Sequence, residues 1–172
     1  MGAEFPGPLH LQRYLTDCGD ELTHIIRTSV THPTSIVHAI HCECTPSVII
    51  NLAARQKEKE AARGNSDRRV ACRFFNVKTN DEEGIVHLHC RRCHRMILAY
   101  DRALYWGVKR KPGSLTETYP HMCSCGSHTF EVAVGFAYPH EALDENDLDT
   151  ITIAVRCASC SEVAIIFDDE AT

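Results

Sequence analysis

The stretch VHLHCRRCHRMILAYD at residues 86–101 decides the fold, because its outline returns as IAVRCASCSEVAIIFD at residues 153–168. With Cys90 aligned to Cys157, apolar residues alternate at the same positions before each C-x-x-C, and an apolar run ending in Asp follows each. Such alternation is typical of β-strands. Each stretch therefore predicts a strand, a metal-binding turn and a second strand. We interpret the pair as a degenerate internal duplication, with two unrelated hairpins as the alternative.

A close pair of cysteines precedes each stretch, so that eight of the ten cysteines form one pattern stated twice. Each half has a C-x-C followed by a C-x-x-C: Cys42 and Cys44 with Cys90 and Cys93, then Cys123 and Cys125 with Cys157 and Cys160. Four thiolates brought together form a tetrahedral cage that suits Zn²⁺ better than any other common ion. The sequence therefore predicts two structural zinc ions held by these eight ligands. Disulfides within the close pairs are the alternative.

The second set of cysteines has further features of a metal-binding turn. In CSCGS at 123–127 a glycine follows the second thiol, where a positive φ lets backbone N–H groups turn toward the sulfurs. A strand at 129–138, an acidic stretch at 139–149 and a strand into Cys157 are predicted next. Residues 123–168 resemble a zinc ribbon, in which two knuckles at one end of a small antiparallel sheet hold one metal ion. The chain departs from the usual C-x-x-C-G of that family, since one residue separates its first pair and a serine follows its last cysteine.

The first set differs in spacing, because 45 residues separate its two pairs against 31 in the second set. An inserted helix at 46–63 accounts for the excess: Thr45 and Pro46 predict its start and Gly64 its end. A further strand is expected at 69–78, between this helix and the first repeated stretch.

The ligands of the first site have alternatives. Cys90 and Cys93 could join another cysteine pair, which would leave Cys42 and Cys44 as ordinary buried thiols. A nearby histidine could also replace a cysteine as ligand, and four are candidates: His41, His87, His89 and His94. The two cysteines outside the pattern are expected to be core thiols: Cys18 and Cys72.

The predicted fold class is α+β, with small antiparallel β units that carry zinc knuckles. Residues 8–30 are predicted to form one helix or two short ones: Pro8 indicates the start of the first, Gly19 its end, and Asp20 the cap of a second. A strand at 35–44 is expected to deliver the first C-x-C. The chain divides into an N-terminal helical segment at 1–34, a first zinc-knuckle β unit at 35–101, a linker at 102–122 and a zinc-ribbon-like unit at 123–172.

Composition limits the classes of protein to consider. A length of 172 residues with 44% hydrophobic and 24% charged residues is ordinary for a globular domain, and no apolar run reaches the roughly 18 residues of a membrane span. The N-terminus has no secretory signal pattern, so we expect a cytoplasmic protein without membrane contact. A reducing compartment favours metal over disulfides at clustered cysteines. The formal charge of −5 counts against a general affinity for nucleic acid.

A catalytic alternative comes from the order of residues in the first set. His41-x-Glu43 followed by Cys90-x-x-Cys93 is the order used by zinc-dependent nucleobase deaminases, in which Glu transfers protons and zinc activates water. Four-sulfur ligation would oppose this chemistry, because it leaves no open position on the metal for water.

The resemblance extends past the first set. Cys93-His94, His121 and CSCG at 123–126 are similar to the end of plant organelle RNA-editing deaminase domains of the DYW type, which implies a second zinc held by those residues. The chain departs from that family in four respects. The helix predicted from Thr45 begins after Glu43 rather than carrying it, and His89 rather than a proline precedes Cys90. No DYW tail follows Gly126, and the 46 residues after it carry another C-x-x-C.

Nucleic-acid binding is the other alternative. Basic residues surround the first C-x-x-C and a later aromatic pair: Arg91, Arg92 and Arg95, then Lys109, Arg110 and Lys111 beside Tyr105 and Trp106. Such side chains could contact phosphates while an aromatic ring stacks on a base. A solvated loop that balances the acidic segments explains the same residues.

The sequence as a whole favours a non-enzymatic, zinc-stabilised binding protein that acts on another protein. An adaptor, an inhibitor or immunity-type protein and an assembly subunit fit this description equally well. The polar half of the helix at 46–63 and the acidic stretch at 139–149 are the candidate contact surfaces. Motifs of other enzyme classes, such as G-x-S-x-G or a Walker loop, are absent from the sequence.

Overall fold

A computed structural model of the chain describes residues 8–29, 34–44, 70–110, 117–138 and 148–170. The secondary structure in these ranges is mostly antiparallel β-strand, with three short helices. None of these helices is long and apolar enough to cross a membrane. The helix predicted at 46–63 and most of the acidic stretch, residues 139–147, lie outside the described residues.

Eleven strands and three helices follow one another in the described ranges. The strands are β1 (Leu15–Asp17), β2 (Thr34–Ile40), β3 (Cys42–Cys44), β4 (Val70–Cys72), β5 (Phe75–Asn80), β6 (Ile85–Cys90), β7 (Met96–Asp101), β8 (Tyr119–Pro120), β9 (Phe130–Tyr138), β10 (Thr150–Cys157) and β11 (Val163–Glu170). The helices are α1 (Leu9–Gln12), α2 (Asp20–Ser29) and α3 (Arg102–Trp106). Nine strands form one sheet, while β3 and β4 pair with each other in a separate small sheet.

Strand β9 is the centre of the large sheet, and every one of its residues is buried. One edge of β9 pairs with β10 from Phe130 to Ala137. The opposite edge is shared, since β2 pairs with residues 133–138 and β5 pairs only at Phe75, opposite Phe130. Beyond these strands, β11 extends the sheet from β10, β1 extends it from β2, and β6 and β7 extend it from β5. The main core therefore surrounds β9.

The two repeated stretches occupy equivalent places in two three-stranded meanders, β5–β6–β7 and β9–β10–β11. In each meander the C-x-x-C turn joins the second and third strands, which confirms the strand-turn-strand prediction. A phenylalanine of the first strand lies opposite the first cysteine of the turn in both: Phe75 opposite Cys90, and Phe130 opposite Cys157. The two phenylalanines also lie opposite each other, so the meanders meet at this pair.

A β-bulge marks the same position in both hairpins. The register between β6 and β7 shifts between Val86 and His87, and the register between β10 and β11 shifts between Ile153 and Ala154. These residues are aligned in the two sequence stretches. Because a bulge is a local irregularity that alternation does not require, its recurrence at one aligned position favours duplication over two unrelated hairpins.

Two predicted strands are each divided in the structure. The strand expected at 35–44 breaks at His41, whose N–H donates to the carbonyl of Tyr14 at 2.8 Å. The strand expected at 69–78 breaks after Cys72. At these breaks β3 and β4 leave the large sheet and pair with each other, with Cys42 opposite Cys72. The exit carries the first C-x-C toward the β6–β7 turn.

The N-terminal segment is less helical than predicted. Helix α1 starts after Pro8 but has a single turn, and it does not continue to Gly19. Strand β1 follows instead and pairs with β2, with Leu15 opposite Ile40. The physical reason is that Leu15 is buried in the main core, where pairing with β2 satisfies its backbone groups. Asp20 is the first residue of α2 rather than its cap.

Part of the predicted linker at 102–122 has regular structure. Helix α3 is capped by the Asp101 side chain, which accepts a hydrogen bond from the Ala103 N–H at 3.0 Å, and ends at Gly107 with φ of 64°. Strand β8 pairs with β5. The cap and the glycine are sequence signals for a helix, but five residues are too few to show its periodicity. The predicted division into units stays a prediction.

Asp169 of β11 connects two strands at opposite ends of the strand order of the large sheet, β11 and β7. Its carboxylate accepts hydrogen bonds from the hydroxyl of Tyr100 on β7, from the guanidinium of Arg102 at 2.8 and 3.2 Å, and from the Trp106 indole at 3.4 Å. The rings of Tyr100 and Phe167 pack beside it with their centroids 4.7 Å apart. One carboxylate thus holds β7 and α3 against β11, at opposite ends of the strand order.

We expect Asp169→Asn to lower the free energy of unfolding at pH 7 by about 1–3 kcal/mol, since a charged acceptor is lost from a partly buried network. Burial opposes ionisation of Asp169, but bonds from Arg102 and Tyr100 hold the pKa of its carboxyl below the usual value. The folded pKa is thus below the unfolded one. The stabilisation should be complete above the unfolded pKa, about 3.9, and be lost only as pH falls through the folded pKa.

Urea unfolding of the wild-type chain and of the Asp169→Asn variant measures this loss. The difference between their free energies of unfolding should stay constant from pH 7 to pH 5. Asp168→Asn is the matched control, because the exposed neighbouring carboxylate accepts one bond, from the Thr152 hydroxyl at 2.7 Å. Equal losses at positions 168 and 169 would contradict the connecting role of Asp169.

Helix α2 packs against the large sheet where β9 and β10 carry small residues. Leu22 and Ile26 form an apolar cluster with Ala133 and Ala154. A Cβ atom at Gly135 would lie 2.3 Å from Cγ2 of Ile26. The glycine in the middle of β9 is therefore what lets the helix approach the sheet so closely.

Gly135→Ala should lower the free energy of unfolding by about 1–3 kcal/mol, because the added methyl group overlaps Ile26 in a packed interface. Urea unfolding measures the change. An Ile26→Leu background removes the methyl group on Cβ, so the same substitution should cost less there. Gly19→Ala is the control, since a Cβ at Gly19 meets no atom within 4 Å. If Gly19→Ala lowered the free energy of unfolding as much as Gly135→Ala, the overlap of the added methyl group with Ile26 would not be the cause.

Candidate metal centres

Site 1 forms where the small sheet meets the β6–β7 turn. Cys42 and Cys44 are two residues apart on β3 and therefore point to one face, and both are buried. The turn after β6 supplies Cys90 and Cys93. All four Sγ atoms lie within 4.8 Å of one another, with those of Cys42 and Cys93 3.6 Å apart.

Site 2 forms at the equivalent end of the second meander. The loop before β9 supplies Cys123 and Cys125, and the β10–β11 turn supplies Cys157 and Cys160, with all four Sγ atoms within 4.8 Å. The Sγ distances are 3.5 Å between Cys123 and Cys160 and 3.6 Å between Cys125 and Cys157. Gly126 has a φ of 86°, as predicted for the glycine after the second thiol.

The closest sulfur pairs at both sites are separated as in a four-coordinate sulfur cage. Zn–S bonds of about 2.3 Å in a tetrahedron place neighbouring sulfurs about 3.8 Å apart. The measured separations of 3.5–3.6 Å are close to that value. Each group contains cysteine sulfurs alone among the described residues. Each could therefore hold one metal ion of the kind that prefers tetrahedral thiolates.

The two C-x-x-C turns share their backbone geometry. In both, the N–H of the first cysteine donates to the carbonyl five residues later, and the N–H four residues later donates back to that cysteine's carbonyl. The residue after the second cysteine has a left-handed backbone in both, with φ of 59° at His94 and 62° at Ser161. Glycine adopts this conformation without strain, so both turns hold a non-glycine residue in a backbone conformation that costs free energy.

The first cysteine of each turn ionises more readily than an ordinary thiol. Burial opposes ionisation of Cys90, but the backbone N–H groups of Cys93 and Arg92 lower its pKa to about 7. Equivalent N–H groups, with that of Cys160 contributing most, lower the pKa of Cys157 to about 6. Each turn thus stabilises a thiolate, the form of cysteine that binds metal.

The C-x-C cysteines of site 1 resist ionisation. Burial, followed by the nearby Cys90 and Cys93, raises the pKa of Cys44 to about 11, and burial also raises the pKa of Cys42. Thiolates this close repel one another, and a divalent cation between them removes that cost. Metal binding at site 1 should therefore release protons from Cys42 and Cys44.

The grouping of side chains in the structure bears on two alternatives for site 1. Cys90 and Cys93 join Cys42 and Cys44 rather than another pair of cysteines, and no histidine of the described residues belongs to the group. The four candidate histidines lie outside it; His87 and His89 are half-buried residues of β6, and His94 is exposed.

The two remaining cysteines are half-buried and pack against apolar clusters, in line with the expectation of core thiols. Cys18 lies near α2. Cys72 has a neighbour that the sequence did not reveal, because it lies on β4 opposite the ligand Cys42 of β3; its thiol donates to the Phe74 carbonyl at 3.6 Å. The pairing of two three-residue strands leaves too weak a pattern to predict this position.

The residues expected of a deaminase do not form one site. Glu43 alternates with the two ligands on β3 and is exposed on the face away from the sulfurs. Site 1 is completed by Cys42 and Cys44, which leaves no position for water on a four-coordinate ion. His121 packs its ring against Phe130, with the centroids 5.2 Å apart, and lies outside both cysteine groups.

The aromatic pair proposed to stack on bases is engaged elsewhere. Tyr105 packs against Tyr100 and donates to the Ala99 carbonyl, and Trp106 donates to Asp169. Arg110 pairs with Asp101 at 2.5 Å. Lys111 lies outside the described residues. These contacts leave little of the pair for a nucleic-acid base.

Comparison with protein-family models, with curated proteins and with solved structures finds no match to this chain. The assignment of the two sites therefore depends on their own geometry.

Metal analysis of the purified chain should give two zinc ions per chain. Cys42→Ser and Cys123→Ser should each reduce the content to one ion, and the double variant to none, because each removes one sulfur from a separate group. Cys18→Ser is the control and should retain both ions. A single zinc ion in the wild-type chain would rule out the paired sites.

Proposed function

We propose that the protein is a non-enzymatic, zinc-stabilised binding protein that acts through contacts with another protein in the cytoplasm. The observation that supports this most directly is the closed set of four sulfurs at each site. Catalytic zinc keeps one position open for water or substrate, whereas structural zinc is enclosed by four protein ligands. Two Zn²⁺ ions in these groups would serve as cross-links of the fold.

The position of the sites fits a structural role. Zinc at site 1 would join the small sheet at Cys42 and Cys44 to the β6–β7 turn, and zinc at site 2 would join the loop before β9 to the β10–β11 turn. Both ions would connect segments that are distant in sequence, so that metal binding would supply folding free energy. Such ions stabilise a surface for binding without taking part in chemistry.

Exposed apolar side chains, two of them close in sequence to the cysteine ligands, support a protein partner. Five large apolar side chains of the described residues are about half or more exposed: Met96, Leu104, Val108, Tyr119 and Met122. Met96 follows the first turn closely and Met122 directly precedes a ligand of site 2. Flexible methionines are common where a protein surface adapts to a partner.

The test combines affinity purification with an activity assay on the full, metallated chain. A protein that copurifies in fixed stoichiometry with the wild-type chain should be lost with the Cys42→Ser, Cys123→Ser double variant, since the binding surface depends on both metal sites. Glu43→Ala is the matched control and should retain the partner, because that exposed side chain is not a ligand.

The same preparations should not deaminate cytidine-type substrates. Deamination by the wild-type chain that Glu43→Ala abolishes would contradict the proposal and favour the catalytic alternative.

A further inference from the structure

Four arginines surround the first C-x-x-C turn, and we call them the arginine face: Arg13, Arg91, Arg92 and Arg95. Arg91 and Arg92 lie within the turn and Arg95 follows it, while Arg13 arrives from the end of α1. Tyr14 connects the two segments, because the Arg13 guanidinium lies 4.7 Å from the centre of its ring, and the electrostatic neighbours of Arg95 are Cys42 first and then Tyr14. All four arginine side chains are exposed.

The arginine face lacks acidic partners within the described part of the chain. Four other arginines each pair with a carboxylate: Arg73 with Glu131 at 2.8 Å, Arg102 with Asp169 at 2.8 Å, Arg110 with Asp101 at 2.5 Å and Arg156 with Glu21 at 3.0 Å. None of the four face residues forms an ion pair with another described residue. On a chain with a formal charge of −5, these exposed guanidinium groups without a carboxylate partner among the described residues are available to an acidic ligand.

The second turn shows that the fold does not require these arginines. At the aligned positions, Ala158, Ser159 and Glu162 replace Arg91, Arg92 and Arg95. That turn has the same hydrogen bonds, the same left-handed residue and the same four-cysteine group. Charge balance for bound thiolates does not explain Arg91 and Arg92, because site 2 has the same ligands with Ala158 and Ser159 at these positions. Arg95 differs, since the ligand Cys42 is its main electrostatic neighbour.

We propose that the arginine face docks an acidic segment of a partner protein. Guanidinium groups bind carboxylates through two parallel hydrogen bonds, which suits Arg better than Lys for such a contact. A protein segment fits better than nucleic acid, because the aromatic rings that could stack on bases, Tyr105 and Trp106, are engaged within the fold. The inference rests on the proposed function, for which it names the binding face and the chemistry of the partner.

The test measures fluorescence anisotropy of a labelled twelve-residue peptide of alternating Asp and Glu, titrated with the full, metallated chain at low salt. We expect saturable binding that weakens as salt rises, as screening of exposed charges requires. Arg91→Ala with Arg92→Ser, which copies the second turn, should weaken binding about fivefold or more. Arg27→Gln with Lys109→Gln removes the same charge from exposed residues elsewhere and should change binding by less than about twofold.

Unchanged binding in the turn variant, or an equal loss in the control, would overturn the proposal. Tighter binding of a twelve-nucleotide oligothymidylate with the same arginine dependence would overturn the proposal and identify nucleic acid as the ligand of the arginine face. Self-association of the wild-type chain that the turn variant loses would also overturn it and identify a second copy of this chain as the partner.

Metal analysis of each variant separates this inference from the proposed function. The turn variant should retain two zinc ions, and Arg13→Gln, which leaves the turn intact, should weaken peptide binding even if the turn variant loses its metal. A wild-type protein that contains no zinc, or that deaminates cytidine-type substrates, would instead contradict the proposed function, whether or not the peptide binds.

Discussion

The sharing of one edge of β9 between β2 and β5 is the constraint from which the rest of the structure follows. Because β5 reaches β9 only at the Phe75–Phe130 pair, the chain between β2 and β5 cannot stay in the large sheet. It leaves as β3 and returns as β4, and this exit carries Cys42 and Cys44 to the turn that holds the other two cysteines. The geometry of site 1 is thus a consequence of strand pairing at the centre of the molecule.

The two meanders differ in some features and share others, and the shared ones are those that a four-cysteine site requires. The bulge, the left-handed residue after the second cysteine and the N–H groups directed at the first sulfur recur in both. The residues between and after the cysteines do not recur, and they differ even in the sign of their charge. Side chains at the tips of such turns are therefore open to selection for contacts outside the chain.

Spacing and alternation predicted the cysteine sets and the strand-turn-strand units, because these signals are local. Pairing was not predictable in the same way: nothing in the sequence around His41 shows that its N–H bonds to Tyr14 and ends a strand there. Helix α3 and strand β1 are too short to show a period. The central position of β9 depends on contacts between distant segments, although its apolar run at residues 132–138 is typical of a strand buried on both faces.

The meeting of the meanders at Phe75 and Phe130 has a consequence for metal loading. Each phenylalanine lies opposite both the other phenylalanine and the first ligand of its own turn. An ion bound at one turn would hold the phenylalanine of that meander in place, and with it the phenylalanine opposite. The second turn would then be partly ordered before it binds metal, so its binding would cost less conformational entropy. Half-loaded molecules would then be scarce at limiting zinc, and the chain would respond to metal supply more steeply than two independent cages could.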